Sequence, residues 1–176
     1  MAGIELLADK NGPVPPPPPP TAEQTIREMD RHFNWLIDHP ETIKLGLRPK
    51  SKARPRFAMG RTYMPPEYTL WCKRMGEMMD AAGGYELLGG PDNALTVVAE
   101  FGIKAGSGRP KKWLERFVGE LHTSPRGDID NLVGAVMDAL LDKEAGGDGR
   151  VGWLNVRKVW AREWYIKIRP IFRAGK

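Results

Sequence analysis

The sequence predicts an α+β fold, in which helices pack on a small mixed β-sheet and a proline-rich arm and one added helix precede the domain. Two observations predict it: apolar residues recur at helical spacing in several segments, and other segments are short runs of β-branched and aromatic residues. The 176 residues suffice for one domain with appendages and a core that needs no disulfide. We assign residues 1–20 to a disordered arm, 21–44 to the added helix and 45–176 to the domain.

The N-terminal arm contains Pro13 and an unbroken run of prolines at 15–20. Prolines have a fixed φ and no amide donor, which favours an extended polyproline II spacer, although such a tract could also dock on a partner's aromatic groove. Thr21 and Gln24 then form a capping-box pattern, followed by apolar residues at helical spacing. We expect this helix to end before Pro40.

The remaining elements follow in order along the domain. Residues 45–63 carry extended signals interrupted by prolines and a glycine. A helix over 67–82 ends at two glycines, and a buried or half-buried strand covers 95–101. We further predict a short helix over 111–121, a helix beginning near 130, and closing strands over 151–159 and 164–172.

The net charge of +5 is strongly segregated along the chain. Residues 48–74 and residues 150–176 each carry eight basic side chains and one acidic one, whereas residues 75–149 carry seven basic and thirteen acidic ones. Two basic blocks therefore flank an acidic one. If both lie beside the acids, they form a surface that binds a polyanion around a centre that binds cations. Solvated surface charge is the alternative interpretation of each block taken alone.

The acidic residues concentrate at the start of a predicted helix. Asp128 and Asp130 immediately precede an apolar stripe at helical spacing. Asp138 lies two turns after Asp130 on the same side of the helix, which is the side opposite the apolar stripe. Two carboxylates about 4 Å apart repel by about 4 kcal/mol at an effective dielectric near 20, so converging acids need a cation. Ligands that are all oxygen indicate Mg²⁺ or Mn²⁺.

Composition disfavours several other classes of protein. Cys72 is the single cysteine, which excludes an intramolecular disulfide framework and a thiolate zinc site. The N-terminus lacks the pattern of a secretory signal, and no stretch approaches the length of a membrane span. We therefore expect a soluble protein of the cell interior with no membrane partner.

The order of these parts resembles the RusA-type Holliday junction resolvases, which are crossover junction endodeoxyribonucleases. The resemblance covers residues 48–172 and excludes the N-terminal arm. It rests on five segments taken together: a Lys-x-Arg-Pro-Arg segment at 52–56, a Gly-x-x-Tyr-x-Pro-Pro turn at 60–66, the strand at 95–101, an Asp-x-Asp-Asn-Leu helix ending Asp-Ala-Leu at 128–140, and a later Asp148 three residues before Val151.

The resemblance implies a homodimer that binds four-way DNA junctions and uses a divalent metal, Mg²⁺ or Mn²⁺, to make paired nicks. Asp128, Asp130 and Asp148 match the metal-binding, catalytic acids of the family. Asn131 and Asp138 match accessory positions, Asn131 orienting the acids or the start of the helix. For Asp148, an ordinary Gly-Gly-Asp-Gly turn is the alternative interpretation. Such proteins often belong to phages or prophages, which implies the cytoplasm of a bacterium or an infected host.

One position departs from the family pattern. The family motif generally has a lysine four residues after the second Asp, where this sequence has Gly134. Losing a cation of that kind commonly costs a hundredfold or more in rate. Lys143, Arg126 or Arg150 could supply the charge instead. A junction-binding protein that no longer cuts is therefore an alternative to the nuclease.

We expect the basic blocks to contact DNA phosphates. In an extended chain, basic residues at every second position between 48 and 56 line one side at intervals of about 6.6 Å. Such contacts confer affinity and salt dependence with little base specificity. The predicted DNA-binding residues are Lys50, Lys52, Arg54, Arg56, Arg61, Arg157 and Lys158.

Overall fold

The computed structural model describes residues 19–90, 92–122, 127–141 and 147–173, without the side chains of 172 and 173. The predicted disordered arm, except for its last two residues, lies outside the described residues, and so do Arg126 and Lys143. The described elements are α1 (Ala22–Ile37), β1 (Ile43–Leu45), β2 (Arg56–Ala58), β3 (Arg61–Tyr63), α2 (Pro66–Ala81), β4 (Ala94–Lys104), α3 (Lys111–Phe117), α4 (Ile129–Leu140), β5 (Val151–Ala161) and β6 (Tyr165–Arg173).

The predicted α+β class is confirmed, with helices packed on a mixed sheet. The capping box of α1 is present, since Thr21 accepts from the Gln24 amide and Gln24 accepts from the Thr21 amide. The helix predicted over 111–121 is shorter than expected. It ends at Phe117 because Val118 is extended and Gly119 has a φ of +96°, and the amide of Gly119 then donates to Trp160.

The main sheet has the strand order β1, β6, β4, β5. The central strand β4 pairs in parallel with β5 and antiparallel with β6, and β6 pairs antiparallel with β1. A separate two-stranded sheet joins β2 and β3 through a turn at Met59 and Gly60, both with positive φ. The edge strand β5 contacts α4, whose N-cap residue is Asp128.

One face of the sheet forms the main core under α2 and α4. Phe101 of β4 is fully buried there together with Met75 of α2 and Val136 of α4. Burying one such large side chain contributes about 1.5–3 kcal/mol relative to exposure. The apolar stripe of α4 is therefore held against the sheet, and the opposite side of the helix, which carries the acids, remains at the surface.

The other face of the sheet is covered by α1. Phe33 and Ile37 of this helix pack on Val98 of β4. Glu100, the next residue of β4 on that face, is 3% exposed and pairs with Arg157 and Lys167. The added helix is thus part of the packed domain, because it closes a sheet face that the main core leaves open.

Gly102 allows a close approach on the same face as Glu100. A Cβ atom at this position would lie 2.2 Å from the ring of Tyr165, so a larger residue would displace the ring. The Tyr165 hydroxyl donates to Glu100 at 2.8 Å. Burial and the neighbouring Glu100 carboxylate raise the pKa of Tyr165 well above its ordinary value, which keeps the hydroxyl protonated as a donor. Within the described residues, no helix has the length and apolar character required to span a bilayer.

Candidate active site

Asp128 and Asp130 lie at the surface where the chain enters α4. Gly127 adopts a φ of +77°, and Asp128 occupies the N-cap position without a capping bond from its side chain. Asp130 is in the first turn of the helix, where the helix dipole favours negative charge. Both residues are exposed, and within the described residues neither carboxylate has a hydrogen bond or an ion pair. Their oxygens are therefore available to a ligand.

Asp138, two turns further along α4, has both carboxylate oxygens occupied. Tyr68 of α2 donates its hydroxyl to Oδ2 at 2.7 Å, and Lys52 donates to Oδ1 at 2.8 Å. Burial, together with the adjacent carboxylate, raises the pKa of Tyr68 above its ordinary range, so the hydroxyl stays protonated. Asp138 thus anchors side chains from two other segments to α4.

Lys52 lies directly over Gly134. Its backbone amide donates to the Asn131 carbonyl at 2.8 Å, which fixes the segment against the first turns of α4. A Cβ atom built on Gly134 would lie 3.1 Å from Cδ of Lys52 and 3.7 Å from its Cβ. The hydrogen bond to Asp138 raises the pKa of Lys52, and the negative charges of Asp138 and Asp148 add to the effect, while partial desolvation lowers it. The space above Gly134 is therefore filled by an ammonium-bearing side chain.

Asp148 begins a short 3₁₀ turn, Asp148–Arg150, directly before β5. Gly147 precedes it with a φ of +66°, and Asp148 is exposed. Its charge raises the pKa of Lys52, which places it within electrostatic reach of the ammonium group. The turn predicted as the alternative interpretation is present, and Asp148 stands exposed at its start.

In the described part of the chain, no three Asp, Glu, His or Cys side chains converge closely enough to enclose a metal ion. Asp128 and Asp130 nevertheless line one cleft of about 610 Å³, which Phe33 of α1 and Lys158 of β5 also border. Mg²⁺ is commonly bound by one or two carboxylates, retained waters and substrate phosphates. The chemistry of this exposed oxygen donor set fits such an ion.

The predicted DNA-binding residues differ in their surroundings. Arg54, Arg56 and Arg61 are exposed on and before the β2–β3 hairpin. Lys50 pairs with Glu67 at 3.4 Å, and Lys158 donates to the Gly127 carbonyl at 3.0 Å beside the acids.

Arg157 has a structural environment. Its guanidinium donates to Glu100 and to Asn34 of α1, and it lies 4.2 Å from the centroid of the Phe33 ring. These contacts tie α1 to the sheet. Arg150, which the sequence predicts as one possible source of charge near Gly134, is buried and donates to the carbonyls of Leu88 and Asn93.

Sequence reasoning did not identify the contacts that join Asp138 to Lys52 and Tyr68. The two partners precede Asp138 by 86 and 70 residues. Tyr68 is a buried residue of α2, and its spacing in the sequence predicts a core role alone. One signal in the sequence pointed toward Lys52: residue 134 is a glycine where the family pattern has a lysine, so a cation at this place would have to come from another segment.

Comparison with known protein families identifies the family of this chain. The family model of endodeoxyribonuclease RusA matches residues 46–169, well over half of the chain, including the acidic segment, Lys52 and Asp148. The comparison with curated proteins gives no match. The matched residues exclude α1 and β1. On the length of this match, the chain belongs to the RusA endodeoxyribonuclease family.

Proposed function

We propose that this protein resolves four-way DNA junctions as a structure-selective endonuclease whose phosphodiester hydrolysis depends on a divalent metal. The observation that carries the proposal is the pair of exposed carboxylates, Asp128 and Asp130, which have no partner among the described residues in a chain with a strong positive net charge. Exposed carboxylates without a partner, in a chain whose basic residues suit phosphates, can bind a cation that bridges them to a phosphate.

Asp128 and Asp130 would hold Mg²⁺ or Mn²⁺, and Asp148 would add a further oxygen from the turn before β5. The ion, when bound, would supply Lewis acidity toward the scissile phosphate and lower the pKa of the attacking water. Asn131 fixes the approach of the basic segment through its carbonyl, which accepts from the Lys52 amide. Asp138 positions Lys52 and Tyr68 beside the site. It is not required as a metal ligand, since both of its carboxylate oxygens have partners.

DNA would lie across the exposed basic residues of the β2–β3 hairpin and of the segment before it. Arg54, Arg56 and Arg61 have no acidic partner among the described residues, so they can neutralise phosphates. Lys50 and Lys158 would contribute from the borders of the site, and Arg157 would act mainly by holding α1 in place.

A homodimer would give the two symmetric cuts that a junction requires. A two-fold axis presents two identical sites to two equivalent strands. In support, β5 is an edge strand of the main sheet, its first half carries Trp153 at 64% exposure, and residues 119–122 pair only with its second half. Sedimentation of the purified protein, alone and with junction DNA, measures its oligomeric state. A protein that stays monomeric at all concentrations, even with junction DNA present, would contradict the dimer.

The decisive assay incubates the protein with a labelled four-way junction and a matched linear duplex in Mg²⁺, Mn²⁺ or EDTA, and measures binding and cleavage together. Symmetric nicks that require metal and are confined to the junction are expected. Equal cutting of the linear duplex, or cutting in EDTA, would overturn the proposal.

A second candidate function is that of an architectural junction-binding protein without turnover. Gly134, in place of the family lysine, favours it, and so does the lack of three converging acids in the described residues. Selective junction binding without nicks would support this candidate. In that case Gly134→Lys should create nuclease activity, and no gain would argue against a lost lysine as the cause.

The role of the proline tract at 13–20, either as a spacer or as a docking segment for a partner protein, remains a prediction. Removing residues 1–20 and comparing DNA binding, cleavage and recovered partners tests it. Unchanged results in all three would leave the spacer as its role.

A further inference from the structure

The face of α4 that carries the acids has an opening at Gly134, and a side chain from another segment occupies it. Asp130, Gly134 and Asp138 are spaced four apart along the helix, so they form one row at its surface. The stem of Lys52 lies 3.1 Å from the place where a Cβ of residue 134 would be. No side chain larger than glycine fits there without displacing the lysine by some tenths of an ångström.

The lysine is fixed at its base and adjustable at its tip. Its backbone amide bonds to the Asn131 carbonyl at 2.8 Å, so the Cα position follows α4. Its ammonium bonds to Asp138 while the side chain is still 44% exposed. Ion pairs with this exposure contribute little to stability, so the ammonium can leave Asp138 for a phosphate at little cost.

The electrostatic setting favours an ammonium group that meets phosphate here. A lysine is a cation at neutral pH at its ordinary pKa, and the hydrogen bond to Asp138 raises the pKa of Lys52 further. A phosphate bound between Lys52 and a metal ion held by Asp128 and Asp130 would meet positive charge from both directions. A preorganised cation of this kind acts most strongly on charge that develops in the transition state.

We infer that Lys52 is a catalytic residue of this site, which reaches over Gly134 from the segment before the hairpin and contacts the scissile phosphate. The inference rests on the proposed nuclease function and goes further by naming the phosphate-contacting cation. Lys52 does the work that the family pattern gives to residue 134, and Asp138 with Tyr68 holds it ready when DNA is absent.

The experiment moves the ammonium group between the two positions. Lys52→Met keeps most of the stem and removes the charge, and it should slow junction cleavage by about a hundredfold. Lys52→Met with Gly134→Lys should recover at least a tenfold part of that loss. Lys52→Met with Gly134→Ala is the matched control, since alanine also improves helix propensity but carries no charge. Lys111→Ala, which removes a surface charge paired with Glu115 on α3, should cut normally.

A second measurement follows binding without cleavage. In EDTA, the slope of log affinity against log salt should decrease by about 0.9 in Lys52→Met, as expected for one lost phosphate contact, and return with Gly134→Lys. Melting curves establish that each variant is folded, so a purely structural lysine would alter stability but leave the slope and the cleavage of bound junction unchanged.

The outcomes separate the two proposals. Wild-type cleavage with an equally active Lys52→Met variant would overturn the role of Lys52 and leave the nuclease function intact. Wild-type binding without cleavage, with a salt slope that depends on Lys52, would support the phosphate contact and overturn the nuclease. A wild type that neither binds nor cuts junction DNA would overturn both.

Discussion

The molecule contains two acidic regions that differ in burial and in hydrogen-bond partners. Glu100, on the sheet face under α1, is 3% exposed and receives hydrogen bonds from Arg157 and Tyr165, with Lys167 at 3.4 Å. Asp128 and Asp130, at the entrance to α4, are exposed and have no partner in the described ranges. A fully partnered carboxylate stabilises the fold only while its partners remain, whereas an unpartnered one is free to bind a ligand.

Asp138 lies between these extremes and shows how the two roles connect. It shares the surface row of α4 with Asp130, but its oxygens are taken by Tyr68 and Lys52. With the proposals above, the comparison separates three uses of a carboxylate: stabilising the fold, positioning another side chain, and binding a ligand. Four changes test this separation, in order of decreasing effect.

Asp130→Asn should have the largest effect. It removes a charge from the proposed metal site, so junction cleavage should decrease at least about a thousandfold, equivalent to about 4 kcal/mol, while junction binding in EDTA persists. Gel assays of binding and nicking measure both. Asp80→Asn, at an exposed acid near the end of α2, is the control and should cut normally. Cleavage by Asp130→Asn at a comparable rate would remove this residue from the mechanism.

Glu100→Gln should lower the free energy of unfolding by about 3 kcal/mol, because it leaves Arg157 and Lys167 without their buried partner. Glu163→Gln is the matched control, since its pair with Lys104 is exposed and is worth less than about 1 kcal/mol. Urea unfolding compares the two variants. Equal stability would mean that the network around Glu100 contributes no more than a surface pair.

Addition of Mg²⁺ or Mn²⁺ should stabilise the wild type by about 1.4 kcal/mol at tenfold excess over the dissociation constant, and EDTA should reverse the effect. The double variant Asp128→Asn, Asp130→Asn should lose this response, as measured by thermal unfolding without DNA. An undiminished response in the double variant would place the ion elsewhere on the protein.

Tyr68→Phe should have the smallest effect, a loss of about 1 kcal/mol in stability, because one oxygen of Asp138 then lacks its donor. Tyr63→Phe, at an exposed residue of the hairpin, is the control for the loss of a hydroxyl. Chemical unfolding of both variants checks the difference. Identical stabilities would show that the Tyr68 hydroxyl is replaceable by water.

The elements of the fold were largely predictable because their signals are local. The capping box of α1, the apolar stripe of α4 and the β-branched run of β4 each depend on a few neighbouring residues. The early end of α3 was missed because pairing of residues 119–122 with β5, including the amide of His122 with the Lys158 carbonyl, overrides helix propensity.

The site was predictable in its residue types but not in its partners. Asp128 and Asp130 are exposed at the start of α4, as the sequence motif predicts, and the role of both, with Asp148, as metal ligands stays a prediction. Lys52 was predicted to face DNA, yet its contact with Asp138 depends on how two distant segments pack. Arg157 was predicted as a phosphate ligand on charge alone, although its position beside Glu100 and Phe33 makes it a tie between α1 and the sheet.

The strand β1 has a practical consequence for anyone who shortens this protein. The family match begins at residue 46, directly after β1, and stops at residue 169, inside β6. A fragment cut at those limits would lack the pairing of Leu45 with Ile166 and the helix over Val98. It would present an open strand edge beside an uncovered apolar face, the combination that favours aggregation during expression.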